Sequence, residues 1–177
     1  TSFRAHCVAV TREISQRKKR WIMKLRTSII CILAAAQLIA AGTIVFAQSD
    51  IEDHRSCVNC GMDRKTYGFS RMLVLYEDGG AAGVCSLHCA VIALGANQRR
   101  TIKSLLVADR STRMLINAEK AIWVMGGRKK GVMTQRPKWA FESKAEADGF
   151  IEAYGGKLAS WTEALAAARE DAARESR

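Results

Sequence analysis

The chain has 177 residues, of which 49% are hydrophobic, 25% charged and 7% aromatic, with a single proline. That composition excludes collagen-like, low-complexity and wholly disordered chains, and the length holds one domain or two very small ones. The net charge of +11 is uneven: residues 1–47 carry eight Lys/Arg against one Asp/Glu, and residues 48–177 carry twenty against sixteen. The leader thus holds +7 and the remainder +4, which reads as a solvated surface and not as a nucleic-acid footprint.

In chain order, residues 1–22 stand ahead of Met23 and read as an over-extended start. Residues 23–47 have the three regions of a secretory signal: Lys24 and Arg26, an apolar run from Ile29, and Val45-Phe46-Ala47 ahead of a cut after Ala47. A retained anchor is the alternative, because the apolar run nears the length that spans a bilayer. Either way the rest of the chain is expected outside the cytoplasm, periplasmic or otherwise extracytoplasmic, touching membrane only if the signal stays uncleaved. Residues 48–56 read as a polar linker.

The remainder reads as α+β, two successive small ββαβ units at 57–110 and 111–160, followed by a C-terminal helix and polar tail at 161–177. In the first unit, strands are expected at Gly68–Tyr76 and Ala81–Val84 around a Glu77-Asp78-Gly79-Gly80 turn. A short apolar helix N-capped by Ser86 and ending near Gly95 follows, then a strand at Ile102–Ala108. In the second, Ala121–Met125 and Lys138–Phe141 read as strands. Ser143 and Glu146 form a capping box for a helix with Ala147, Phe150, Ile151 and Tyr154 on one face; Gly155-Gly156 stops it before a strand at Lys157–Ala159. A second capping box, Ser160 to Glu163, opens the last helix.

Cys7 and Cys31 leave with the leader. The exported part keeps Cys57-Val58-Asn59-Cys60 and Cys85-Ser86-Leu87-His88-Cys89, with 24 residues between the pairs. Close-spaced pairs at this separation are the form of a knuckle-and-helix (treble-clef-like) metal site on the first unit. Structural disulfides are the competing reading for an exported protein. A thiol oxidoreductase fits less well, since its Cys-x-x-C should open a helix, whereas Gly61 and a polar loop follow Cys60. Cys89 falls in the first turn of the predicted helix, where the dipole favours a thiolate.

Thiolates suit Cu(I), Zn(II) or iron–sulfur clusters, and a closed four-thiolate set suits structural zinc. Met62, two positions after Cys60, His88, and Met133 in Gly131-Val132-Met133 widen the ligand choice, and thioethers favour Cu(I) over zinc. No Ser–His–Asp set, paired carboxylates or phosphate loop stands out, so the chain reads as a non-enzyme.

The run Cys57-Val58-Asn59-Cys60-Gly61-Met62 and the Tyr76-Glu77-Asp78-Gly79 hairpin resemble the NosL family of copper accessory proteins for nitrous oxide reductase. The likeness continues through Asn117-Ala118-Glu119-Lys120-Ala121, Trp123-Val124-Met125-Gly126, Gly131-Val132-Met133, Phe141-Glu142-Ser143 and Gly155-Gly156-Lys157-Leu158. The resemblance implies two ββαβ units, an extracytoplasmic location, Cu(I) binding, and a partner in nitrous oxide reductase or its assembly machinery. By motif it makes Cys60 and Met62 candidate ligands, with Cys57 beside them and Met133 further off. The full candidate set is Cys57, Cys60, Met62, Cys85, His88, Cys89 and Met133, holding Cu(I) as cargo in a metallochaperone. The alternative is a structural-zinc interaction module of the cell envelope.

Overall fold

The computed structural model describes residues 50–175, so the proposed start and signal segments lie outside the described residues. Strand β1 (Met72–Tyr76) alternates as expected, with Met72, Val74 and Tyr76 at 0–1% exposure on one face. It begins four residues later than the predicted strand. Residues 68–70 close a turn instead, and the Arg71 side chain turns away to a buried carboxylate. The turn into β2 (Ala81–Val84) needs Gly79, whose φ of +83° lies in the left-handed region that a side chain disfavours. Asp78 then accepts from the Gly80 amide at 2.9 Å and pairs with Arg100 at 2.6 Å.

Helix α1 (Leu87–Ala96) follows Ser86, which occupies the N-cap position without making a side-chain cap bond. The helix is apolar almost all round, as a helix covered on several sides must be. Strand β3 (Ile102–Ala108) returns beside β1, and a three-residue strand absent from the sequence reading, β4 (Leu115–Asn117), adds to it. The antiparallel order is β2-β1-β3-β4. The loop before β4 is pinned by the fully buried Asp109, whose carboxylate accepts from Thr112 at 2.7 Å and, across to the second unit, from the Glu142 amide at 3.0 Å.

The second unit repeats the first: β5 (Ile122–Met125), β6 (Lys138–Phe141), α2 (Lys144–Tyr154) and β7 (Lys157–Ala159), in the order β6-β5-β7. In both units the first strand is central, the second flanks it through a hairpin, and the strand after the helix takes the other side. Alternation along β5 divides the interior. Trp123 joins the main core with the cysteines, β1 and α1, while Val124 faces Trp139, Phe141, Ala147 and Phe150 beneath α2. Ser143 sits at the N-cap of α2 but makes no side-chain cap bond, so the capping box expected there with Glu146 is not formed.

The other box does form. The Ser160 amide and hydroxyl donate to Glu163 at 2.7 and 2.8 Å, and the Glu163 amide donates back to Ser160 Oγ at 3.2 Å. It opens α3 (Trp161–Glu175), whose Ala164, Ala167 and Ala168 let it lie close against α1. Ser160→Ala should lower stability by about 1 kcal/mol, read from the thermal midpoint, with the sheets unchanged. Among the described residues no helix is long and apolar enough to cross a membrane.

Candidate metal centre

The first cysteine pair lies in a miniature hairpin. The Cys57 amide donates to Met62 O and the Gly61 amide to Cys57 O, both at 2.9 Å, with Ser56 bridged to Asp63. Gly61, at φ +76°, makes the reversal that returns the chain after Cys60. This knuckle is sewn to the neighbouring strand by the Val58 amide, which donates to Gly83 O at 3.0 Å. Two residues beyond Gly83 stands Cys85, and Cys89 follows in the first turn of α1.

The four sulfurs converge: all lie within 4.8 Å of one another. Cys60 and Cys85 are 3.5 Å apart, Cys85 and Cys89 3.6 Å, and Cys89 and Cys60 3.7 Å. Every cysteine of the set is a free thiol, so the disulfide reading does not describe this structure. Sulfurs each about 2.3 Å from a common centre in a tetrahedron would stand about 3.8 Å apart, so these separations suit a shared metal ion. Cys57, Cys85 and Cys89 are buried at 0–3% exposure, whereas Cys60 and Met62 are half-buried and open one side of the cluster. Met62 Sδ is 4.0 Å from Cys85 Sγ, close enough to add a soft donor on that side.

Crowded thiols cannot all ionise without a cation. Hydrogen bonds from Cys85 and Cys89 hold Cys57 well below the ordinary thiol range. The same bond to Cys57, followed by the contact with Cys89 and burial, pushes Cys85 far up. Cys89 is pushed up to about 12, chiefly by its bond to Cys57, although Asn59 Nδ2 donates to its sulfur at 3.5 Å. The shifts thus favour ionisation at Cys57 over Cys89, the reverse of what the helix dipole suggested. Metal capture here releases protons.

Residues 48–168 match the NosL family model. The chain belongs to the NosL family. Among solved structures it is similar to the copper chaperone NosL from Shewanella denitrificans, at 25% identity and a TM-score of 0.49, over 61% of this chain and 87% of that one. No curated protein sequence matches.

One candidate of this NosL-family chain falls elsewhere. His88 is 2% exposed, but its Nε2 lies 3.0 Å from Glu175 Oε2 on α3, and it is not part of the sulfur cluster. Consecutive helical residues are about 100° apart around the axis, so His88 and Cys89 point different ways. The His88–Glu175 pair meets the distance of an ion pair without the alignment of a hydrogen bond, and both ring nitrogens lack a hydrogen-bond partner. Met133, at φ +55°, packs half-buried against the same core that contains Cys57, Cys85 and Cys89.

Sequence reasoning missed the support beneath the site. Asp50, within the stretch read as a linker, is 5% exposed and joins Arg64 and Arg71, themselves 0% and 1% exposed. Isolated charges in polar stretches give no signal of burial, and their pairing exists only once the chain is folded.

Proposed function

We propose that this protein is an extracytoplasmic Cu(I) metallochaperone that supplies copper to the copper–sulfide centre of nitrous oxide reductase. The observation that carries the copper-binding half is the convergence of four free thiols within 4.8 Å of one another, with a methionine sulfur on their open side. Family membership supports copper handling and this acceptor, and the signal pattern of residues 23–47 supports export.

Copper here is cargo. Buried Cys57, Cys85 and Cys89 would grip it from behind, while half-buried Cys60 and Met62 would form the side from which an acceptor ligand approaches. Exchange one ligand at a time moves the ion without freeing it. A thioether belongs in such a site because it binds Cu(I) well and zinc poorly.

A close set of four thiols also suits a resident zinc, so the test must separate the two ions. The full chain, purified anaerobically, is loaded with Zn(II) and challenged with Cu(I) in the presence of a chromogenic chelator. Copper should displace zinc and then pass to metal-depleted nitrous oxide reductase. Met62→Leu should weaken Cu(I) retention and leave Zn(II) retention unchanged, since volume is nearly conserved and only the soft donor is lost. Zinc that copper cannot displace, with Met62→Leu silent toward both ions, would favour a structural-zinc interaction module.

A further inference from the structure

We infer that Arg64 is a positioning residue that sets the two cysteine pairs against each other, an inference that rests on the four thiols being the cargo site. Its guanidinium is wholly buried and all its N–H groups are used. Nε donates to Val84 O at 3.2 Å, and Nη1 donates to Asp50 O at 2.7 Å and His54 O at 2.6 Å. Nη2 donates to Asp50 Oδ2 at 2.8 Å and Met72 O at 3.0 Å. The acceptors lie on three separate stretches of chain: the segment leading into Cys57, the start of β1, and the residue before Cys85. The Arg64 amide adds a bond to Arg55 O at 2.8 Å.

One side chain therefore grips the base of both cysteine pairs. The fit leaves no slack. A Cβ on Gly83 would lie 2.8 Å from the Arg64 Cζ, so β2 passes directly over the guanidinium. Asp50 accepts from both Nη1 and Nη2, and Arg71 closes the carboxylate from the other side at 2.8 and 3.0 Å. Lysine would keep the charge but could not span these acceptors, because an ammonium is a point donor without the planar fork.

The test reads sulfur proximity without metal. The metal-free full chain is treated with a short bifunctional thiol reagent, and peptide mapping separates cross-links within a pair from those joining Cys57 or Cys60 to Cys85 or Cys89. Arg64→Lys should lose most of the cross-links between pairs and keep those within pairs. Its Cu(I) affinity should fall roughly tenfold or more, as when a supporting partner of a metal ligand is removed. Arg64→Met, which leaves the Asp50–Arg71 pair intact, provides the same readout if the lysine variant does not fold. Val124→Ala, in the second core away from the clamp and compared at a matched loss of melting temperature, should leave the cross-link pattern unchanged.

Unaltered cross-linking in both Arg64 variants, or an equal loss in Val124→Ala, overturns the inference. Lost cross-linking in a chain whose parent form holds no Cu(I) upholds the positioning role and overturns the copper reading instead.

Discussion

Cys85→Ser is expected to strip Cu(I) from the protein under competition while leaving its two sheets intact. Cys85 is the hub of the cluster: its sulfur lies 3.5 Å from Cys60, 3.6 Å from Cys89 and 4.0 Å from Met62. Cys85 is itself wholly buried, so its loss removes a donor from the enclosed side of the cluster. A hydroxyl supplies a harder, shorter donor in its place. Affinity should fall by more than the roughly 10–100-fold typical of losing an outer-shell partner. Anaerobic competition against a chromogenic chelator measures this, with far-ultraviolet circular dichroism as the fold control. Parent-like affinity would remove Cys85 from the ligand set.

Much of this site was legible because spacing and alternation are local properties. β2, β3, β6 and β7 have the predicted bounds, since each is a short run bounded by glycine, polar or helix-capping residues. The two cysteine pairs announce themselves by close spacing, and the pairs do meet. What stayed hidden depends on tertiary neighbours. β4 is three half-buried residues with no pattern of their own, and exists by pairing with β3. His88 stands beside a candidate ligand in sequence, yet the helical turn sends it to Glu175. Ser143 and Glu146 have capping-box spacing but do not close the box, whereas Ser160 and Glu163 do. Asp50 looks like part of a solvated linker until Arg64 and Arg71 arrive from the far side of the knuckle.

Asp50→Ala should be the most damaging single change to stability in the metal-free protein. The carboxylate sits between two buried guanidiniums, 2.8 Å from each, with its side chain 4% exposed. Burial and the charge of Arg71 both act against protonated Arg64, and Asp50 is the principal opposing attraction. Removing it leaves two cations enclosed together. Breaking a buried pair from one side typically costs about 3–5 kcal/mol, a large share of the roughly 5–15 kcal/mol that holds a domain folded. Added salt should restore little of it, because ions screen enclosed charges poorly. Arg64→Met should cost less, since it removes a cation and leaves a balanced Asp50–Arg71 pair, and what it loses is mainly the bonds to backbone carbonyls. Denaturant midpoints of the two variants decide the matter: Asp50→Ala below Arg64→Met places the stability in charge balance, and the reverse order places it in the backbone bonds of the guanidinium fork.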